Sequence, residues 1–272
     1  MPEARTAPLV CFLHPLGNEK VWWRLREALP IRVRTLAVEQ PPSGRITPPD
    51  LTQDIAEAAR TALPETGADL VVAPDLAASA GAELVADRSA AHGLLINPDT
   101  AALIGRPGFQ DATLGSDIKD FLADIAPYSE QLSEDGTVPA EGVEVMVEFS
   151  LRSCAPLDEQ DRRLLRDIAT DHMTRSMPLD LPADGVAPVP PEHNWFARLS
   201  ADPERFTVYS GELGYLSEQV RTVVPRNVPG ARIVRASPST AFPWLEQPAA
   251  LAALVADQVE TGSPTSRDLP HA

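Results

Sequence analysis

ADLVVAPDLAASAG, Ala68 to Gly81, is the stretch whose reading decides the fold. Its first half is an almost unbroken apolar run, the pattern of a strand covered on both faces. Pro74 ends the run, and alanines from Ala77 to Ala86 supply the strongest intrinsic helix preference. The stretch therefore reads strand, tight turn at Pro74-Asp75-Leu76, helix.

The same rhythm extends on both sides. Upstream, Pro8 to Leu13 (PLVCFL) is a short apolar strand, and Trp22, Trp23, Leu25 and Leu29 recur at helical spacing. Ile31 to Val38 alternates as a half-buried strand, and Leu51 to Leu63 reads as a helix with Asp50 as its N-cap. Downstream, Gly93 to Asn97 (GLLIN) is a further buried strand. After Asp99 the rhythm changes, for Ser116–Ile125, Gly142–Arg152 and Asp158–Met177 look helical with no strand between them. It resumes with the strand Arg205–Gly211, a helix near Ser217–Val224, the strand Ala231–Ala236 and the helix Ala249–Val259. Alternating βα units predict a mostly parallel central sheet with helices on both faces. The helical block is an inserted cap, so the expected organisation is core 1–115, cap 116–191 and core 192–272.

A hydrophobic content of 43% with 23% charged residues is enough for a large core. The formal charge of −16 repels phosphate backbones and anionic lipid surfaces, which argues against nucleic acid and membrane as partners. Cys11 and Cys154 have no metal-ligand spacing and read as free thiols. The N-terminus lacks the basic and apolar regions of a signal peptide. A cytoplasmic monomer without metal or cofactor is expected.

Four segments, in order, carry a resemblance to the α/β-hydrolase family that covers almost the whole chain. His14-Pro15-Leu16-Gly17 is similar to the oxyanion loop HGxG, with Pro15 where Gly is usual. Ala73-Pro74-Asp75-Leu76-Ala77 stands where the nucleophile elbow G-x-S-x-G would be, with Asp75 for Ser. SGELGYLSEQ resembles the loop of the triad acid, with Gly214 in the acid's place. SPSTAFPWLEQP resembles the loop G-H-F-P-W-L-E-x-P that delivers the His, with Ala241 in its place. The resemblance implies an α/β-hydrolase fold with all three triad positions changed. An ordinary serine hydrolase is not expected, since Ser attacks only when His takes its proton.

Three readings of Asp75 stay open: a nucleophile, as in the dehalogenase and epoxide hydrolase relatives; a base raised toward neutrality by burial; or a cap on the following helix that holds its charge. His14 lies at the expected pocket floor, as a base or as a ring bonded to loop backbone. The N–H groups of Leu16 and Leu76 would form an oxyanion hole if both turns are kept. Val147, with Val143, Met146 and Phe149, and with Phe109 from the loop entering the cap, is placed to roof an apolar cavity. The same helical spacing suits a cap core, and Phe242 is ambiguous in the same way. The expected binding set is His14, Pro15, Leu16, Asp75, Leu76, Phe109, Val147 and Phe242, with no catalytic side chain assigned.

A hydrolase-like chain without triad or metal resembles the atypical α/β-hydrolase-fold proteins of natural-product pathways, among them the bottromycin-type peptide epimerases. That resemblance implies inversion at the Cα of an aspartate beside a thiazoline, the substrate's own carboxylate acting as base. The partner is then a small modified peptide. A non-catalytic pseudo-hydrolase that binds a small molecule or peptide is the alternative.

Overall fold

The computed structural model describes residues 7–14, 19–38, 48–109, 116–152, 154, 156–176, 194–211, 215–236 and 242–261. Six strands form one sheet: β1 (Leu9–Phe12), β2 (Arg34–Ala37), β3 (Ala68–Pro74), β4 (Ala90–Ile96), β5 (Phe206–Ser210) and β6 (Arg232–Arg235). Their order is β2-β1-β3-β4-β5-β6, and every neighbouring pair is parallel. The chain moves outward from β1 to β2, then crosses back to β3 and proceeds to the other edge. The connections after β1 and β3 therefore diverge, which opens a crevice at the carboxyl ends of these two strands.

Because successive side chains alternate, each strand feeds two cores. Cys11, Val71, Ala73, Leu95 and Val208 face a cluster shared with α2 (Pro48–Ala62), α3 (Ala77–Ala86), α7 (Trp195–Ala201) and α8 (Tyr215–Asn227). Phe12, Val72, Leu94, Ile96 and Tyr209 face the other cluster, with α1 (Trp23–Ala28), α9 (Pro243–Glu246) and α10 (Pro248–Thr261). That second cluster continues into α4 (Ser116–Asp135), α5 (Ala140–Leu151) and α6 (Glu159–Ser176), through Ile125, Val143, Met146, Val147, Leu165 and Met173. The block pivots on Gly142, where a Cβ would come within 2.7 Å of the Tyr128 Cβ and 2.8 Å of the Met173 Cε. Arg24 on α1 holds the start of α6 by pairing with Asp158 and, at 2.8 Å, with the buried Asp161.

Several elements differ from the sequence reading. Pro48 opens α2 at the position where its missing N–H costs nothing, so Asp50 lies inside the first turn and is not the N-cap. β2 spans half the expected run because it pairs only with β1, from Leu9↔Arg34 to Phe12↔Ala37. α4 continues through Pro127 to Asp135, its Tyr128 packed against Gly142; tertiary packing outweighs the local break. α7 was not foreseen. Its Asn194 N-cap accepts from the N–H groups of Phe196 (2.9 Å) and Ala197 (3.3 Å), and it buries Trp195, Phe196 and Leu199. Cys11 and Cys154 are free thiols, each pushed up to about 12, first by burial. Among the described residues no helix is long and apolar enough to cross a membrane.

The tightest contact in the sheet's cover lies between α3 and β3, where a Cβ on Gly81 would stand 2.5 Å from the Cβ of Ala73. Gly81→Ala should therefore destabilise the fold by roughly 1–3 kcal/mol, although alanine is the better helix former. Thermal unfolding checks this, and an unchanged Tm would mean that α3 lifts from β3 without cost.

Candidate active site at the carboxyl ends of β1 and β3

Asp75 follows the last residue of β3 with φ +46°, a left-handed conformation uncommon for a residue with a side chain. The turn is pinned on both sides: the Asp75 N–H donates to Ile96 O at 2.9 Å, and its carbonyl accepts from the Ala78 N–H at 3.0 Å. This is the sharp strand-to-helix turn expected at Pro74-Asp75-Leu76 from the apolar run before it and the alanines after it. The side chain has an open surface yet stands deep among protein atoms.

Burial pushes the Asp75 carboxyl up to about 6, while the N–H of Leu76 pulls it back. α3 begins at Ala77 with Leu76 at its N-cap and no capping side chain. The cap reading of Asp75 is therefore corrected: the carboxyl does not close the helix, and its affinity for a proton moves opposite to the direction a cap would give. Leu76 is half-buried, and its N–H faces this carboxyl instead of an empty hole.

His14 leaves β1 beside this turn, since Phe12 pairs with Val72 and the Leu13 N–H donates to Val72 O at 2.9 Å. Its buried ring meets Trp22 and Trp244 edge-on, at centroid distances of 5.9 and 5.6 Å. Burial first, and His172 on α6 second, lower its pKa to about 3. His172, also buried, is lowered to about 4. At neutral pH both rings are uncharged, and His14 is too weakly basic to hold a proton it had abstracted.

Pro15, Leu16, Gly214 and Ala241 lie outside the described residues. Their flanks are in place. Gly211, before the loop of Gly214, donates its N–H to Asn97 Oδ1 at 2.7 Å. Phe242, next to Ala241, is half-buried and edge-on to Trp244 at 5.6 Å, which sets this loop against the His14 box. Val147 is buried inside the second cluster. Phe109 packs on the first cluster instead, on the opposite face of the sheet. Its segment meets α8 at the last turn, where the Asn227 side chain donates to Pro107 O at 3.0 Å. The structure thus sets His14, Asp75 and Leu76 at the carboxyl ends of β1 and β3, with Phe242 beside the rings around His14 and Phe109 on the same cluster as Leu76.

Two residues at the site were not foreseen. Arg221 on α8 donates to Ser210 O and Gly211 O at 2.9 Å each and reaches Ala236 O at 3.5 Å, tying together the ends of β5 and β6. Asp99 follows β4, which pairs Pro74 with Ile96. Its carbonyl accepts from Trp195 Nε1 at 2.9 Å, and its Oδ1 is buried with no partner among the described residues. Its carboxyl is raised to about 7, first by burial and next by Asp75. The available signal was an echo: Val72-Ala73-Pro74-Asp75 and Ile96-Asn97-Pro98-Asp99 both end an apolar strand on Pro-Asp.

A concavity of about 610 Å³ opens at the amino edge of the sheet among Leu9, Arg34, Asp69, Arg88 and Arg205. It contains none of the elbow residues, and the chemistry at Asp75 places the site at the other end.

A carboxyl that binds its proton more tightly when folded contributes a stability that fades as pH rises through its folded value. Asp75→Asn should therefore raise Tm at pH 8 and leave it nearly unchanged at pH 4. Allowing for the open side of the carboxyl, the gain is about 1 kcal/mol, or roughly 2–4 °C. Calorimetric melts at the two pH values check the prediction; equal shifts would contradict it.

No family model and no curated protein matches the chain. Solved structures do. A carboxylesterase from Bacillus subtilis, CesB, aligns with TM-score 0.62 at 13% identity, over 96% of this chain and 86% of its own. An epoxide hydrolase from Bacillus megaterium aligns at 0.59 with 11% identity, over 93% and 94%. A haloalkane dehalogenase variant from Bradyrhizobium elkanii, DbeA, aligns at 0.53 with 16% identity, over 94% and 90%. With the parallel sheet and its elbow, these likenesses give the chain the α/β-hydrolase fold.

Proposed function

We propose that this chain is a non-hydrolytic enzyme of the α/β-hydrolase fold, a peptide epimerase. It inverts the Cα of an aspartate beside a thiazoline in a modified natural-product peptide of the bottromycin kind. The observation that carries this reading is the elbow: Asp75 stands where a nucleophile would, its carboxyl raised toward neutrality. Ala241 occupies the position of the base, and His14 is held neutral by burial and aromatic packing. The esterase, epoxide hydrolase and dehalogenase activities named for the similar structures belong to those proteins. Here the water-activating imidazole of such chemistry has no counterpart at the matching position.

What remains within reach is proton exchange at an acidified carbon. A thiazoline withdraws electrons from the neighbouring Cα–H, and the aspartate side chain of the same residue lies close enough to take that proton. Holding the two in near-attack geometry is worth several kcal/mol without any enzyme base. The carboxyl ends of β1 and β3, with His14, Asp75 and Leu76, receive the peptide, and Val147 belongs to the helical block of the second cluster. No cofactor enters, and the enzyme acts as a monomer. A binding protein without turnover is the second reading, favoured by the burial that keeps His14 and His172 uncharged at neutral pH.

Incubation in D₂O with a thiazoline-containing peptidyl-aspartate, followed by mass spectrometry, should show deuterium entering Cα faster than in the protein-free control. Binding without incorporation would select the second reading. Asp75→Asn should retain at least a tenth of the exchange rate if the substrate is its own base. Complete loss would transfer that role to Asp75.

A further inference from the structure

Two carboxyl groups, not one, stand at the carboxyl ends of β3 and β4. These strands are hydrogen-bonded neighbours with Pro74 opposite Ile96, so Asp75 and Asp99 leave the same edge of the sheet one and three residues beyond that pair. Each is fixed by main-chain contacts. Asp75 is held at φ +46° by its bonds to Ile96 and Ala78. Asp99 is held by Trp195 Nε1 on its carbonyl, while Trp195 itself is anchored by its N–H on Ser79 Oγ at 3.2 Å. Neither carboxyl has an ion-pair partner among the described residues.

We propose that Asp75 and Asp99 work as one acid pair that holds a single proton and uses it to hydrogen-bond a carboxylate of the ligand. Two carboxylates that leave neighbouring strand ends close enough for Asp75 to raise Asp99 cannot both be ionised at modest cost, and a shared proton removes the repulsion. The second observation is the buried Oδ1 of Asp99, which has no hydrogen-bond partner among the described residues although the N–H groups of Ala101 and Ala102 hold the same carboxyl. An ionised pair in a chain of charge −16 would repel an anion. A singly protonated pair instead offers an O–H to a carboxylate oxygen, a short charge-assisted bond. The upward displacement of both groups agrees with this arrangement.

Among the described residues no salt bridge neutralises the pair, and the Arg221 guanidinium on α8 is engaged by the carbonyls of Ser210, Gly211 and Ala236. His14 on β1's end and His172 on α6 are kept uncharged. On the far side, Arg106 lies over the Phe196 ring at 5.2 Å, and Arg198 is carried by α7. The proposal deepens the epimerase reading by naming the group the elbow receives, and it rests on that reading for the choice of probe.

Carboxyl-labelled aspartate followed by carbon NMR tests the pair itself. Asp99→Asn should lower the midpoint of Asp75 by about one unit, and Asp75→Asn should lower that of Asp99 equally. The two variants check each other if one folds poorly. An unchanged midpoint in the folded variant overturns the pair. Calorimetry at pH 8 in two buffers of different ionisation enthalpy tests the ligand. Binding of the thiazoline peptidyl-aspartate should take up about one proton, and Asp99→Asn or the peptidyl-asparagine analogue should take up none. No binding, or binding without proton uptake, overturns the carboxylate assignment. Proton uptake without deuterium exchange would leave the pair standing and remove the epimerase.

Discussion

Ala73 and Gly81 meet with no room for a Cβ on Gly81, and this close approach of α3 to β3 sets the turn at Asp75. The helix must start within two residues of the strand's end, so the chain reverses through one residue in a left-handed conformation. A side chain on that residue projects from the sheet's carboxyl edge instead of into either core. The parallel register then places the end of β1 on one side of it and the end of β4 on the other. His14 and Asp99 are neighbours of the elbow for that reason alone, and a shift of α3 would move all three relations together.

Burial acts on the two sides of this edge with opposite sign. Carboxyl groups at Asp75 and Asp99 are driven toward their neutral acid form, and imidazoles at His14 and His172 toward their neutral base form. In an acyl-transfer site the roles differ: an imidazole must be able to take a charge, and a carboxylate must stay ionised to stabilise it. Here both halves are inverted. His14, Trp22, Trp244 and Phe242 form a neutral aromatic box at the end of β1, beside the strand that carries Asp75.

The elements with strong local signals were legible in the chain. Ala68–Gly81 specified β3, its turn and α3 almost to the residue, because an apolar run followed by alanines admits few alternatives. β2 was overextended, since its length is set by the partners β1 offers and not by its own alternation. The resemblance to the family's loops could be read because its motifs are local, while Gly214 and Ala241 lie outside the described residues. Asp99 could not be assigned, although its Pro-Asp echo was visible, because its relation to Asp75 exists only through the register of β3 and β4. Phe109 illustrates the same limit: its proximity to the cap in sequence says nothing of the path that carries Pro107 to the last turn of α8. Arg221 was silent for a third reason, as a single arginine on a helix gives no sign that its partners will be the carbonyls of two separate strand ends.

Asp75 is costly twice over, in its backbone and in its desolvated carboxyl. A left-handed side-chain-bearing residue costs of order 1–3 kcal/mol, and a raised carboxyl pKa opposes folding at neutral pH. Neither cost is repaid locally, since the side chain closes no helix and forms no ion pair among the described residues. Gly at the same position would relieve both. Arg221 shows the same concentration of interactions nearby, with one guanidinium committed to holding two loop origins in place. Strain and desolvation combined in one residue at the carboxyl edge of a well-packed sheet are the physical marks of a site organised to receive something. A purely structural turn would have no use for either, and that asymmetry argues for a ligand at this elbow independently of which reaction, if any, follows its binding.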